Sequence, residues 1–484
     1  MRVVQVPVGA TVFRWLGLAG VLLVTLSTLA DGADQFGVRT DAVLGWLTEG
    51  AAAPLAVAVS GMGLVVLAWL RLARFLAELS AGWLRGTLAL WGAPLLVAPP
   101  LFSGDVHSYL AQGEVAARGL NPATVSPLDG LGAAHELTGN VSSYWQDTAS
   151  PYGPVFGTIQ RLIAELTDGS VLSGVLAHRV VAVAGLVLIV WAVPKLAARA
   201  GVSVPGALWL GVLNPLVLWH FIAGIHNDAL MLGLALAGVA LALSGIGERI
   251  APLPLCGGVV LIALAVNVKL PAAVGLAVVG VALARHFGAT FGRFVLAGLA
   301  MCASLALITL AVAFSSGLGF HLFTQLSVSG EVNSWMAPTN WVGFLVGAIG
   351  MLFGANITQP AIEVGKLIGM VVAVAGIGKV LVDQLRGRYA SVTSLGALLA
   401  VVVVFGPVVQ PWYILWAAVP LAACLAPGKW RNTVIGVVAV FSVILPPLGG
   451  NFADKIGELV LGYAVAIAVL AVATVLSRPR KVAV

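Results

Sequence analysis

Charge is what this sequence has least of. Only 9% of its 484 residues are Asp, Glu, Lys or Arg, while 60% are hydrophobic. A soluble domain carries about 25% charged residues. A chain this poor in charge cannot clothe a water-facing surface, and a mean hydropathy of +1.04 makes lipid its main solvent. Cysteine is nearly as scarce: Cys256, Cys302 and Cys424 all fall inside apolar runs. Lone thiols there behave as small buried hydrophobes, so no disulfide framework and no metal cluster are expected. Period-two alternation is missing as well, which excludes a transmembrane barrel. Helices then remain as the way to satisfy backbone groups in lipid. No P-loop, Gly-rich nucleotide fingerprint or metalloprotease helix signature appears. No segment is long enough for a soluble nucleotide-sugar domain.

The net charge of +6 looks basic. Yet no basic stripe interleaves with aromatics, so nucleic acid is not an expected partner. Retention of Lys and Arg on the cytoplasmic side explains the excess.

What is present is a series of apolar runs near the roughly 20 residues of one helical crossing. They fall at about 13–30, 52–70, 87–102, 173–193, 205–221, 228–245, 252–268, 270–285, 294–314, 364–382, 391–409, 413–427, 432–449 and 458–476. The shorter run 341–353 reads as a re-entrant or surface helix. The fold expected is an all-α polytopic membrane protein of about 14 transmembrane helices, one domain over 1–484. With both ends inside, Arg71, Arg74, Arg85, Lys195, Arg199, Arg249, Arg285, Arg293, Arg386, Arg388, Lys429, Arg431, Arg478, Arg480 and Lys481 fall on the cytoplasmic side. The first run also reads as a signal peptide.

The outer side then receives loops at about 31–51, 103–172 and 315–340, with most acids and six of seven histidines, His286 excepted. That concentration marks the working face. The plainer reading is that longer loops collect polar residues.

Six segments there carry chemistry. Ser103-Gly104-Asp105 opens a short helical pattern with Asp105, Ser108 and Gln112 on one face, and His107 and Tyr109 beside them; a helix cap reads the same way. Ser150-Pro151-Tyr152-Gly153-Pro154 follows Tyr144-Trp145 and fixes a rigid turn. Its aromatic faces suit a sugar ring, or an interfacial belt. His226-Asn227-Asp228 follows Asn214-Pro215 and Trp219-His220, and a carboxylate at a helix mouth is costly unless used or paired. Lys269 interrupts two short runs. It suits a lipid phosphate or snorkels. Arg179 beside His178, and Arg161 beside Gln160, are further phosphate candidates. Gln410-Pro411-Trp412-Tyr413 and Glu331 through Trp341 mix amides with aromatics.

Ser103-x-Asp105-x-x-Ser108-Tyr109-x-x-Gln112-Gly113, Ser150-Pro151-Tyr152-Gly153-Pro154, Asn214-Pro215 and His226-Asn227-Asp228 together resemble the actinobacterial α-(1→6)-mannopyranosyltransferases. These are GT-C class membrane glycosyltransferases that build the mannan backbone of lipomannan and lipoarabinomannan. The resemblance covers about residues 90–415. It implies a GT-C-like bundle with catalytic outer loops, in the plasma membrane with its site on the extracytoplasmic side. It implies a polyprenyl-phosphate mannose donor, a lipid-linked mannoside acceptor and inversion at the anomeric carbon. Asp105 matches the family's general base. That acid often lies in the first outer loop, whereas Asp105 falls in the second, so Asp31, Asp34 and Asp41 are its rivals. Lys269, with Arg179 and His226 behind it, is expected on the donor phosphate. His107, Tyr109, Gln112, Trp145, Tyr152, Asp228 and Trp412 are expected around the acceptor sugar. No cofactor is expected. Asp105, Asp228 and Glu331 would hold a divalent cation if the fold gathers them, though no ligand spacing demands one. The rival class is a secondary transporter or lipid flippase. Transporters place polar sites in broken helices near the midplane, whereas the polar residues here gather at one boundary.

Overall fold

The computed structural model describes residues 6–32, 52–319, 333–447 and 455–477. Asp34, Asp41, His321, Glu331, Arg478, Arg480, Lys481 and much of the loops at 31–51 and 315–340 lie outside the described residues, as does the side chain of Asp31. Within them every regular element is helical.

A first pair, α1 (Val8–Gly32) and α2 (Ala52–Leu72), crosses at Gly20 and Gly61. A Cβ on either glycine would strike the other's carbonyl oxygen, and small residues are what allow backbones to approach so closely. Next, α3 (Ala81–Gly92) begins at a Ser80 cap and tightens into a 3₁₀ turn, Ala93–Leu96, before Pro99-Pro100. Four helices then build the polar segment: α4 (Asp105–Ala117), α5 (Pro127–Leu131), α6 (Glu136–Asn140) and α7 (Pro154–Thr167).

The long α8 (Val171–Arg199) leads to a short α9 (Val204–Gly211). Pro215 cannot donate to the helical ladder. Asn214 takes up the slack: its Nδ2 donates to the Leu210 carbonyl at 2.8 Å and its Oδ1 accepts from the Val217 N–H at 3.2 Å. The chain resumes as a π-helical turn, Val217–Ala223, then bends by 109° into α10 (Asp228–Ser244). After it come α11 (Pro252–Val266), α12 (Ala273–His286) and α13 (Phe291–Ser316). The C-terminal portion holds α14 (Pro338–Leu352), α15 (Thr358–Leu385), α16 (Ser391–Phe405), α17 (Ile414–Ala422), α18 (Lys429–Phe441) and α19 (Ile456–Leu476).

The centre is α8, α10 and α11, in contact at Gly185–Ala229 and Gly238–Gly258. Trp69 and Trp209 stack at 4.8 Å and each donates its indole N–H to the other's carbonyl, at 3.0 and 2.8 Å. The run expected at 341–353 is α14, folded back along α15 with Gly343 against Ile362 and Gly347 against Thr358.

The all-helical fold is as expected, and the described residues do not confirm a count of about 14 spans. Among the described residues, six helices are long and apolar enough to cross a membrane, seven with the bent pair taken as one span, and five shorter apolar helices accompany them. The shortening is physical: irregular backbone is tolerated at membrane depth where protein buries it, and α11, α12, α16 and α17 stop where they meet the site. The cysteines need a correction too. Cys256 and Cys302 are exposed, Cys424 is half-buried, and all three are free; in lipid an apolar run has no need to turn a thiol inward.

The helices share a polarity. Arg71, Arg199 and Arg285 end α2, α8 and α12, while Arg293 and Lys429 begin α13 and α18. The opposite ends of α12 and α16 reach residues that line one cavity with Asp105, and the far end of α13 is held to α7 by Arg161 on the Ser316 carbonyl.

Candidate functional site

Local sequence rules place Asp105 first. Ser103 folds back so that its Oγ donates to Asp105 Oδ1 at 2.7 Å and accepts from the Asp105 N–H at 3.1 Å. Asp105 thus begins α4 with its carboxylate held, in the first turn where the helix dipole favours an anion. Ser108 and Gln112 follow on the same face. The Ser150–Pro154 turn is pinned beside them. Gly153 N–H donates to the Val268 carbonyl at 3.3 Å and Val155 N–H to the Asn267 carbonyl at 3.1 Å. A Cβ on Gly153 would collide with the Asn267 backbone, so glycine is required by close approach. Asn267 is itself fixed, its Nδ2 donating to Thr309 Oγ1 at 2.8 Å. This seam carries Tyr152 and Lys269 into one space.

That space is a cavity of about 660 Å³. One wall is polar: Ser103, Asp105, Ser108, Gln112, Ser142 and Thr148. Other lining residues are apolar: Leu270, Ala273, Val274, Val402, Pro407 and Val408. Trp145, Tyr152, Trp412, Tyr413 and Trp416 supply flat faces between them, and Lys269 is the cation among the lining residues.

Two close pairs organise it. His226 Nδ1 lies 3.3 Å from Asp105 Oδ2, and the carboxylate is 26% exposed. Burial alone would raise the Asp105 carboxyl. The His226 ring, the Ser103 hydroxyl and the Lys269 charge outweigh it and hold the group below its ordinary range. Lys269 Nζ donates to both Asp228 oxygens, at 2.9 and 3.0 Å. Asp228 Oδ1 also accepts from the Trp416 indole at 2.7 Å. The ammonium lies 4.7 Å from the Tyr413 ring centre, 5.4 Å from Trp416 and 5.9 Å from Tyr152. Burial pushes the Tyr152 phenol well above its usual range, so it stays a neutral donor.

Of the residues expected from sequence, Asp105, Lys269, Gln112, Trp145, Tyr152 and Trp412 line the cavity. Others stand behind its wall. Tyr109 is 1% exposed, edge-on to Tyr152 and Phe156. His226 is fully buried, and Asp228 backs Lys269. His107 shares α4 but does not line the space.

Arg179 needs a correction. Its guanidinium donates to the carbonyls of Ile222, Leu96 and Ala98, at 3.3, 2.7 and 2.6 Å, and it is 3% exposed. It serves carbonyls released by the Pro99-Pro100 stop and the π-helical turn, and no face is left for a phosphate. Arg161 likewise holds the Ser316 carbonyl at 2.9 Å. The sequence reading passed over Trp416 and gave Tyr413 no role. Trp412 and Trp416 are four residues apart, one helical turn, and that spacing was the available signal. Among the described residues, no three of His, Cys, Asp and Glu gather as a metal would require.

Comparison with known proteins agrees with the residues. The model of the alpha-(1->6)-mannopyranosyltransferase N-terminal domain matches residues 14–285, and that of the MptB C-terminal domain matches 339–475. A probable alpha-(1->6)-mannopyranosyltransferase of Mycolicibacterium smegmatis is 38% identical over 472 residues, covering 90% of this chain and 83% of that one. An alpha-(1->6)-mannopyranosyltransferase of Mycobacterium tuberculosis is 36% identical over 492 residues, with the same shares covered. Alpha-(1->6)-mannopyranosyltransferase B of Corynebacterium glutamicum is 36% identical over 423 residues, covering 81% and 69%. No solved structure matches the chain. With a family model over more than half its length and relatives this similar, the chain belongs to the α-(1→6)-mannopyranosyltransferase family of membrane enzymes.

Proposed function

We propose that this chain transfers mannose from polyprenyl-phosphate mannose to a lipid-linked α-(1→6)-mannan acceptor, with inversion, in lipomannan and lipoarabinomannan synthesis. The observation that carries the reading is one cavity lined by a held carboxylate, a lysine and a set of apolar side chains. A lipid-borne sugar phosphate has those three parts: a hydroxyl-rich ring, an anion and a hydrocarbon tail.

Asp105 is the general base. It takes the proton of the acceptor C6 hydroxyl as that oxygen bonds to C1 of the donor mannose. The C1–O bond to phosphate breaks on the opposite face, which turns a β-linked donor into an α-mannoside. The electron pair leaves with the polyprenyl phosphate. That leaving group needs a cation more than an acid, and Lys269 supplies it. Asp228 and Trp416 hold Lys269 in place. Trp145, Tyr152 and Trp412 offer faces to the sugars, Gln112 offers polar contact to the acceptor, and Leu270, Val274 and Val402 face the first prenyl units. Tyr109 acts by backing Tyr152.

The cation-bearing helix ends lie away from the cavity. By the positive-inside rule this supports a plasma membrane orientation with the cavity on the extracytoplasmic side.

The test is purified full-length protein given polyprenyl-phosphate mannose and a short α-(1→6)-mannoside. Release of polyprenyl phosphate with growth of the glycan is the expected result. Movement of the lipid across a vesicle without turnover would replace this reading with transport. Gly153→Ala forces the Tyr152 turn off the Lys269 segment. A displacement near 1 Å costs about a hundredfold in rate, so that variant should lose about this much transfer while circular dichroism still reports the parental helix content.

A further inference from the structure

We infer that His226-Asn227-Asp228 is one rigid spacer that sets the base against the cation, and that His226 is the positioning residue of Asp105. The inference rests on the roles proposed for Asp105 and Lys269. Its residues come from the break after Pro215. There the chain bends by 109° and Ile225 sits at φ 58. A β-branched residue in the left-handed region is a true outlier, and such strain persists where the surroundings enforce it.

The bend delivers two side chains to two partners. His226 reaches Asp105 Oδ2 at 3.3 Å, and Asp228, two residues on, reaches Lys269 at 2.9 Å. Trp412 clamps the imidazole by stacking at 3.7 Å and 21°. The ring is fully buried, so it steadies the carboxylate rather than touching a phosphate. The base arrives under similar constraint. Phe102, three residues before Asp105, has φ 66 and packs 5.3 Å from His220 of the same break. Arg179 buckles the two segments through the Leu96, Ala98 and Ile222 carbonyls.

The titratable groups facing Asp105 are His226 and His220 from the break, Lys269 before α12, Tyr109 on α4, Tyr152 from the pinned turn and Tyr413 before α17. Of these, His226 lies against a carboxylate oxygen. Removing it should therefore raise the pH at which the base is lost.

The experiment measures steady-state mannose transfer against pH for the full chain, with polyprenyl-phosphate mannose and a short α-(1→6)-mannoside. The variants are His226→Leu, His226→Asn, Asp228→Asn and Asp105→Asn. His226→Leu should lower kcat about tenfold or more and move the acid limb up by about one pH unit. His226→Asn keeps a donor near the Nδ1 position and should recover much of both. Asp228→Asn should raise the donor KM and leave the acid limb where it was. A His226→Leu enzyme with parental kcat and acid limb overturns the inference, as do His226→Leu and His226→Asn enzymes that are equally slow with unmoved limbs. Full activity in Asp105→Asn would instead remove the base itself, a different failure.

Discussion

Asp105→Ala is expected to lower mannose transfer by roughly a thousandfold while the protein still folds. The size follows from what a positioned general base contributes, about 10²–10⁴-fold. The fold should survive because the carboxylate is 26% exposed at the cavity wall, and water can take over the hydrogen bond from Ser103. Asp105→Asn tests the same point with shape preserved: an amide cannot accept the acceptor's proton. The pH dependence follows with a definite sign. In the proposed mechanism the active form is the carboxylate, and His226, Ser103 and Lys269 hold its pKa below the ordinary value. Activity should therefore persist as pH falls to the usual carboxylate range and fade only below it. Transfer rates across pH, with a thermal midpoint in detergent for each variant, check both statements. Parental turnover by Asp105→Ala would take this residue out of the mechanism.

Much of this site was legible because it was local. Asp105 was found from Ser103-x-Asp105 at the end of an apolar run, and the Ser103 hydroxyl does fold back onto it over two residues. The turn at 150–154 was legible from its prolines, whereas the break after Asn214-Pro215 was not, because the run 205–221 reads as one apolar span straight through it. Partnership between distant segments was not legible. Lys269 reads in the sequence as a cation for a lipid phosphate or as a snorkelling lysine, yet it is bound to Asp228, 41 residues away in the chain. Nothing in either segment announces the other. Arg179 misled for a related reason. A guanidinium in an apolar run suggests an external anion, and its real partners are backbone carbonyls freed by irregular turns on two other segments. Trp416 was hidden because a tryptophan inside an apolar run looks like lipid-facing bulk. Span counting is limited in the same way. Apolar runs report lipid-compatible composition, while helix length also depends on where a cavity interrupts the ladder, as it does at α11, α12 and α17.

Lys269→Ala should weaken donor use far more than Lys269→Arg. Losing one preorganised group aimed at developing negative charge costs about 10²–10³ in rate, and in the proposed reaction the polyprenyl phosphate carries that charge away. The substitution has a second consequence that must be separated from the first. Asp228 is 1% exposed and Lys269 is its ion-pair partner. Breaking a buried pair by removing one member costs about 3–5 kcal/mol, because the remaining charge is stranded. Lys269→Ala is therefore expected to be both less stable and deficient in donor binding. The double variant Lys269→Met, Asp228→Asn divides the two effects. It removes both charges, while the amide oxygen introduced by Asp228→Asn can still accept from the Trp416 indole, so its thermal midpoint should return toward the parent. Its donor affinity should stay low, because no cation faces the phosphate. Lys269→Arg keeps the charge but spreads it over a planar fork, so it should retain measurable donor binding with a reduced rate. Direct titration of polyprenyl phosphate against the four proteins gives the order parent, Arg variant, then the two uncharged variants together. Parental affinity in the stable double variant would show that the phosphate is held elsewhere, and Lys269 would be left as the counter-ion of Asp228 alone.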